Sequence, residues 1–578
     1  MPLSEPDIYE FDDFRVDAAE RVLLRRGEPL PLTPRVFATL LYFVRHSGKV
    51  LEKDDLMHAI WPDAVVEENN LNQNVSTLRR ALGESRYIVT VPGRGYRFAA
   101  AVRVCTGRAA TTAAAPSKTI AVLPFANMSE DPENEYFCDG LAEELLNALA
   151  KIEGLKVVAR TSAFAFKGKN TSVSEIAGAL GVSAILEGSV RRAGNRLRIT
   201  AQLIDASTAY HLWSERYDRE MRDIFDVQDE ITLSVVDALK VKLLGEEKAA
   251  VLKRHTENTE AYRLYLKGRY FWFKSAPGEF RKSRDYFQRA VDADPAYALG
   301  YSGLSYYYGF ASSWGLMPPD EGWPRMEAAL MKALELDDTL VEVHNGLAAF
   351  KWVYQRDWAG AEREFKRGIE LNPKFAAIHS HYSIYLTVMR RLDEAIAEGR
   401  RALELDPLSV RINRNQGSRF YYARRYDEAV RQYREALELE PDDASVHEEL
   451  GDAYEQKEMF GEAMTEWQKA MTLAGDEELA ALLGKAYSEE GFGGAVRAVA
   501  QKRLERLNER VKSGEYVPAG YFARACLRLG DKEQALRWLE EARGEHNVFP
   551  LMINSDPFYD SLRTDPRFAA LLKGMHLE

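Results

Sequence analysis

The stretch NNLNQNVSTLRRALG, residues 69–83, decides how the N-terminal part of this chain is read. Leu71, Val75, Leu78 and Leu82 follow one another at spacings of 4, 3 and 4, which puts them on one stripe of an α-helix. The remaining surface carries Asn72, Gln73, Asn74, Ser76, Thr77, Arg79 and Arg80. A helix that only floats on a core usually turns Glu and Lys outward, because these solvate well and favour the helix. Amides and arginines are suited to reading hydrogen-bonding edges. Amides bond adenine in pairs, guanidinium forks onto guanine, and hydroxyls bond base or phosphate. Charge points the same way. Residues 71–104 hold Arg79, Arg80, Arg86, Arg94, Arg97 and Arg103 against Glu84 alone, a net of +5. Residues 1–70 hold 8 basic and 14 acidic side chains, a net of −6. The outer face of this helix is therefore expected to meet duplex DNA; the bland alternative is a solvated helix with arginines gathered by chance.

Upstream, FDDFRVD and RVLLRRGEPLPL are short strand-like runs with turn residues between them. Thr33-Pro34 opens a helix that continues through VFATLLYFVRH to Gly48, and a second helix, KDDLMHAI, stops at Trp61-Pro62. Downstream of Gly83, YIVTVPGRGYRFAA predicts two strands around a Gly-Arg-Gly tip. With LTPRVFATLLYFVRHSGKVLEKDDLMHAIWP, the quoted helix and IVTVPGRGYRF in place, residues 8–100 resemble the winged-helix DNA-binding domain of the OmpR/PhoB type. That resemblance implies an α+β winged helix-turn-helix, its third helix in the major groove and its wing at backbone or minor groove. Carried over by position, it implies DNA contacts from Asn74, Ser76, Thr77, Arg79 and Arg80, and from Arg94 at the wing tip; Asn72 and Gln73 complete the candidate surface. Many relatives carry Arg where this chain has Ser76, Thr77 and Pro92, so base preference is not carried over. Tyr96 and Phe98 are expected to anchor the wing in the core. The domain starts too near the N-terminus for a receiver domain ahead of it, and the arrangement resembles the CadC-like one without the membrane helix.

The 578-residue chain is too long for one core, and its hydrophobic and charged fractions of 46% and 29% are ordinary for a globular protein. A net charge of −12 argues against coating nucleic acid along the whole length. Cys105, Cys138 and Cys526 match no metal or redox spacing, the N-terminus is acidic, and no run of 18 apolar residues occurs. A cytoplasmic protein with no membrane contact is expected. The N-terminal domain is placed at 1–104 and a linker of small residues at 105–117. Residues 118–250 alternate strand and helix, predicting a small α/β domain with a mixed sheet. Their motifs IAVLPFANMSEDPENEYFCDGLAEELLNALAKI, LEGSVRRAGNRLRITAQLIDA and HLWSERYDREMRDIFDVQDEI resemble the TolB-N/FlgO-like domain. Asp139, Glu143 and Glu144 read as carboxylates at the positive end of a helix. Lys167-Gly168-Lys169 lacks the spacing of a phosphate loop. No nucleophile stands beside a recognisable base, so no catalytic residue, metal or cofactor is expected and the chain reads as a non-enzyme. A nucleotide-processing middle domain is the enzyme-class alternative.

From residue 258 onward the sequence repeats. ELNP, ELDP and ELEP place Pro373, Pro407 and Pro441 at a period of 34. Ala290, Ala333, Gly368, Ala402, Ala436 and Ala470 recur at intervals of 43, 35, 34, 34 and 34, the long one holding an insertion. The block GDAYEQKEMFGEAMTEWQKA resembles the tetratricopeptide repeat through Gly451, Tyr454, Ala463, Trp467 and Ala470. An all-α tetratricopeptide-repeat solenoid of about eight repeats, some degenerate, is expected over 258–547, with a C-terminal cap at 548–578. Residues 262–323 hold 17 aromatics in 62 positions, and the repeat register turns Tyr262, Tyr265, Arg269, Trp272, Phe273, Tyr297, Tyr307, Tyr308 and Tyr354 toward the inner groove. These form the candidate partner-binding groove. His379 and His381, two apart on a helix, are read as ordinary histidines. The expected partners are duplex DNA, a protein or peptide in the repeat groove and, on DNA, a second copy of the chain. The sequence thus reads as a multidomain DNA-binding transcriptional regulator; the alternative is a repeat scaffold whose winged helix docks protein.

Overall fold

The computed structural model describes residues 8–18, 22–25, 28–30, 32, 34–60, 68–83, 87–91, 94–100, 102–105, 118–169, 171–241, 243, 248–249, 251–274, 277–313 and 315–577. The chain divides into two compact units, Met1–Pro116 and Ser117–Glu578. In the first, β1 (Ile8–Phe11), β2 (Phe14–Asp17), β3 (Val22–Arg25) and β4 (Glu28–Leu30) form an antiparallel meander. Helix α1 (Pro34–Arg45) follows, then β5 (Val50–Glu52), α2 (Lys53–Ile60) and α3 (Glu68–Ala81). The wing strands β6 (Ile88–Val91) and β7 (Gly95–Phe98) pair with each other, and β7 also pairs with β5. Strand β8 (Arg103–Cys105) returns to pair with β1, so the start of the expected linker belongs to the N-terminal sheet. Residues 106–117 of that linker, with Thr33, Trp61, Pro62, Glu84, Arg86 and Pro92, lie outside the described residues. Leu40, Phe43, Leu56, Leu71, Leu78, Ile88 and Phe98 meet in one dry core, all at 0% exposure. Gly95 is required where β7 crosses β5: its φ is +143°, and a Cβ there would lie 2.0 Å from the Leu51 carbonyl oxygen.

The second unit opens with an α/β domain. Its strands β9 (Lys118–Val122), β10 (Ala126–Asn127), β11 (Leu155–Val157), β12 (Ala184–Ala193), β13 (Arg196–Asp205) and β14 (His211–Glu220) run in the order β11-β9-β12-β13-β14, with β10 beside β12. The β11-β9-β12 part is parallel and the β12-β13-β14 part antiparallel, which makes the mixed sheet expected from the sequence. Strand β9 is apolar on both faces because both are covered: Ile120 and Val122 face α4 (Glu135–Ala150) and α7 (Ile224–Ala238). Ala121 and Leu123 face α6 (Val173–Leu180), which follows the short α5 (Arg160–Phe164). Along β13, Leu197, Ile199, Ala201 and Leu203 are buried while Arg196, Arg198, Thr200 and Gln202 are wet or half-buried.

The repeats then stack as antiparallel helix pairs: α8 (Thr259–Phe273) with α9 (Pro277–Ala293), α10 (Ala298–Ser313) with α11 (Pro319–Leu336), and α12 (Val341–Ala349) with α13 (Trp358–Leu371). Next come α14 (Ala376–Val388) with α15 (Leu392–Leu405), α16 (Val410–Tyr422) with α17 (Tyr426–Leu439), and α18 (Ala444–Gln456) with α19 (Phe460–Leu473). Helix α20 (Glu477–Lys512) is a further pair in disguise, broken at Gly491 by a φ of +70°. Helices α21 (Ala519–Arg528), α22 (Lys532–Ala542), α23 (Phe549–Met552) and α24 (Pro566–Gly574) complete the unit. The small residues at the repeat period are all buried, because helices cross there at close range; a Cβ on Gly368 would meet Ile378 Cδ1 at 2.2 Å. Among the described residues no helix is long and apolar enough to cross a membrane.

A histidine clasp recurs in this array. His344, His379 and His447 each turn Nδ1 to a carboxylate of the next helix, Glu364, Glu398 and Glu466, at 2.8, 2.6 and 2.5 Å. Each turns Nε2 to a carbonyl six residues back, of Asp338, Pro373 and Pro441, at 2.9, 3.1 and 2.9 Å. Asn413 fills the same place in the fifth pair, donating to the Pro407 carbonyl at 2.9 Å and accepting from Gln432 at 2.8 Å. At His344 both partners accept, so its ring is suited to carry two protons. Burial alone would lower the pKa of His344, yet its bonds to Glu364 and the Asp338 carbonyl raise it. A raised folded pKa contributes stability that is full below the unfolded value near 6.5 and fades as pH climbs through the folded one. His344→Ala is therefore expected to cost about 1–3 kcal/mol at low pH, with the gap to wild type narrowing in thermal melts taken above neutrality. A gap constant from acid to alkaline pH would refute the clasp. His381 points elsewhere, to Asn345 Oδ1 at 3.0 Å.

Candidate nucleic-acid interface

Helix α3 lies on α1 and α2 through the predicted ridge: Leu71, Val75, Leu78 and Leu82 are all at most 1% exposed. Asn72, Gln73, Ser76, Thr77 and Arg80 project outward, and Arg94 is exposed at the wing tip. Among the described residues the side chains of Gln73, Ser76, Thr77, Arg80 and Arg94 have no hydrogen-bond or ion-pair partner. The helix ends before Gly83, whose φ of +75° is the left-handed stop expected there. Tyr96 and Phe98 are buried, as their wing-anchoring role requires.

Two of the expected contact residues are turned inward. Asn74 is half-buried and donates from Nδ2 to Thr39 Oγ1 of α1 at 3.0 Å. Arg79 is half-buried and grips the wing: Nε and Nη2 donate to the Ile88 carbonyl at 3.0 and 2.7 Å, and Nη2 also donates to Thr90 Oγ1 at 2.8 Å. Its guanidinium lies 6.0 Å from the centre of the Tyr96 ring, whose hydroxyl donates to Asn72 Oδ1 at 2.6 Å. Arg79 and Asn72 therefore bolt helix to hairpin, so that the two present one rigid surface. Arg79→Ala is expected to cost the first unit about 2–3 kcal/mol, since it strips a charged donor from a carbonyl and a hydroxyl. Arg79→Lys should not restore it, because a single ammonium cannot reproduce the fork. Chemical denaturation checks both. Arg103 belongs to the N-terminal sheet, paired with Glu10 at 2.6 Å, and so leaves the basic face. Arg97, which in the sequence stands out only as one of the local charges, is exposed on β7 and joins the wing surface.

Most residues of the candidate groove of the first repeats are engaged by the chain's own α/β domain and neighbouring helices, while Phe273 stays exposed and Trp272, Tyr308 and Tyr354 are half-buried. Tyr262 is buried against Phe225 of α7 and accepts from Gln228. Tyr265 and Tyr297 pack edge to face, ring centres 5.3 Å apart, both buried. Arg269 pairs with Glu143 of α4, and Phe273 lies under Arg160 at 3.9 Å. Trp272 packs on Phe280 and Tyr307 on the same ring, at 5.2 and 4.7 Å, with Tyr308 beside Tyr307. Tyr354 stacks on Trp323 and meets His546 of the C-terminal region. The physical reason is non-local: inward-pointing aromatics are what a docked domain needs, and this chain supplies that domain itself.

Two of the three carboxylates of the acidic cluster of α4 are held in ion pairs, Glu143 in part by the repeats, while burial and the neighbouring Glu143 push Glu144 up to about 7. Burial alone would raise the Glu143 carboxyl, but Arg269 and Arg160 hold it below the usual carboxylate range. Asp139 is gripped by Lys167 at 2.6 and 2.7 Å. These carboxylates therefore serve ion pairs and not merely the helix dipole. Lys374 of the repeats reaches the turn between α4 and β11, donating to the Ile152 and Leu155 carbonyls at 3.1 and 3.0 Å. Asp406, in an ELDP corner, accepts from the Ser162 amide and hydroxyl at 3.0 and 2.6 Å. Further along, a cavity of about 540 Å³ opens between α18, α19, α20 and α21, floored by Trp467, Met471 and Leu483 and rimmed by Arg503, Arg506 and Arg524.

Fold and surface together define a winged-helix domain with an exposed amide, hydroxyl and arginine face, joined to an α/β domain and a repeat array. Among known proteins, residues 27–98 match the family described as transcriptional regulatory protein, C terminal, and residues 116–234 match the HilA/YgeH-like transcriptional regulator, second domain. Residues 353–410 and 417–458 match tetratricopeptide-repeat models. A provisionally named adenylate cyclase 3 of Rhizobium meliloti (strain 1021) is 41% identical over 248 residues, 42% of each chain. The transcriptional regulator HilA of Salmonella typhi is 22% identical over 406 residues, 67% of this chain and 68% of that one. The transcriptional activator CadC of Escherichia coli (strain K12) is 38% identical over 79 residues, 13% of this chain and 15% of that one. The chain thus spans under half the length of the first of these relatives. It carries an OmpR/PhoB-type winged-helix domain and tetratricopeptide repeats.

Proposed function

We propose that this chain is a sequence-specific, double-stranded DNA-binding transcriptional regulator, with the outer face of α3 in the major groove and the β6–β7 wing on the flanking backbone. The observation that carries this reading is the exposed row Gln73, Ser76, Thr77 and Arg80 beside Arg94, held rigid by Arg79 and Asn72. Asn72 can still offer its amide N–H groups while its oxygen holds Tyr96. The test is duplex binding by the Met1–Pro116 unit across a salt series: affinity should fall linearly on a log–log plot, as counterion release demands. Binding that ignores both salt and sequence would refute it.

The repeats are assigned a modulating role, with a protein or peptide partner at the cavity over Trp467 in place of the largely engaged groove of the first pairs. The likeness of residues 118–250 to the TolB-N/FlgO-like domain, and of the whole to a CadC-like arrangement, belong to the same proposal. We read the chain as a non-enzyme because Asp139 and Glu143 are neutralised by Lys167, Arg160 and Arg269. A cyclase assay on ATP, prompted by the first relative's name, should show no turnover. Buried free thiols at Cys138 and Cys526 support a reducing cytoplasmic setting.

A further inference from the structure

Strand β14 is the outer edge of the α/β sheet, and among the described residues no strand pairs with its far side. It is ten residues long, and Ser214, Glu215, Arg216, Asp218 and Arg219 are exposed along it. An edge of this length is a template for another strand unless something blocks it. Charge is the usual block, and β14 carries charges of both signs.

Antiparallel ladders alternate residues that bond the neighbour with residues whose amide and carbonyl point outward. The Met221 amide donates to the Asn195 carbonyl of the β12–β13 turn at 2.9 Å, which fixes the phase. Residues 215, 217 and 219 bond inward to β13, and residues 214, 216, 218 and 220 face out. The Glu220 amide agrees, being taken by the Asp223 side chain outside the ladder, at 3.3 Å. Two copies related by a two-fold axis can pair only in registers that match outward residues with outward residues. Centred on Arg216, the axis sets Arg against Arg. Centred on Asp218 it sets Asp against Asp, with only the Arg216–Glu220 pairs opposite in sign at the strand end, and on Glu215 Glu against Glu. Centred on Tyr217 it sets Arg216 against Asp218 twice and Glu215 against Arg219 twice. That register has four opposite-charge pairs and no like pair, and the pattern therefore selects one register while rejecting its neighbours.

We propose that β14 is a self-association strand: a second copy of this chain adds to the sheet edge antiparallel, centred on Tyr217, extending the sheet across the dimer. The relevant side chains are on the surface, Arg216 at 65% and Asp218 at 50% exposure; within the chain Arg216 meets Asp218 and Arg219 meets Glu230, each at a loose 3.4 Å, and a partner strand would share these exposed pairs. Asp218 already meets Arg198 at 2.7 Å within the chain, and the incoming Arg216 would share it.

The test uses the full chain and no DNA, so its outcome is separate from that of the regulator reading. Sedimentation equilibrium should show a monomer–dimer equilibrium that weakens as salt rises. Arg216→Glu makes both outer pairs acidic, and Asp218→Arg makes both basic. Each variant alone should dimerise about tenfold more weakly or worse than wild type. Mixed in equal amounts, with one fluorescently labelled, the two should associate at near wild-type strength, because every pair is again opposite in sign. That rescue also certifies that both variants fold. A wild-type chain that stays monomeric into the high micromolar range overturns the proposal. So do single variants that dimerise like wild type, or a mixture that fails to associate.

Discussion

Replacing Arg80 and Arg94 with alanine in the Met1–Pro116 unit is expected to weaken its duplex binding by roughly a hundredfold or more at moderate salt. The two losses should differ in kind. Arg80 is exposed on the outward face of α3, where a guanidinium can fork onto a guanine, a contact worth about 1–3 kcal/mol of discrimination. Its removal should relax specificity at one base pair. Arg94 projects from the wing tip, where the natural target is phosphate. Its removal should weaken all sequences alike and reduce the salt slope by about 1. Titrations of labelled duplexes at several salt concentrations separate the two. Equal effects of both variants on slope and on base preference would contradict the assignment of helix to bases and wing to backbone.

The second large effect is expected at the join between the α/β domain and the repeats. Arg269→Ala leaves Glu143, a side chain only 8% exposed, with Arg160 as its remaining ion-pair partner. Removing one member of a buried, hydrogen-bonded charge pair typically costs about 3–5 kcal/mol, because the survivor keeps its desolvation penalty. The expected result is earlier unfolding in denaturant and faster hydrogen exchange in α4. Glu143→Leu combined with Arg269→Met and Arg160→Met should recover much of the loss, since no charge of the cluster is then stranded. Acid should loosen the same join. Glu143 has a folded pKa below its unfolded one, so its contribution is present above the ordinary carboxylate range and fades as pH falls through the folded value. A chain equally resistant to denaturant with and without Arg269 would show that the pair does not hold the domains together.

How much of this is legible in the sequence depends on how local each feature is. The α3 ridge is legible because 3.6-residue spacing alone fixes which residues share a face. The repeats are legible because small residues at a period near 34 mark close helix crossings. The histidine clasp is also written there, as the sixth residue after each proline at His379, Asn413 and His447, but its meaning needs the partner helix. Arg79 and Arg80 are adjacent, and nothing local says that only the first can reach the Ile88 carbonyl of a hairpin nine residues on. Strands β5 and β8, three residues each, are too short to carry an alternation. The groove aromatics depart furthest from expectation. Their inward orientation follows from the repeat register, but their occupant is a domain more than a hundred residues upstream in the case of Arg269 and Glu143.

The most direct measurement is binding selection from random duplexes, run with the Met1–Pro116 unit and the full chain, each with and without Arg80→Ala. The wild-type proteins are expected to enrich one recurrent sequence, and the variant to lose selectivity at a position within it. Enrichment of no sequence by a folded wild-type unit, or an unchanged motif from the variant, would contradict the claim that the exposed face of α3 reads DNA.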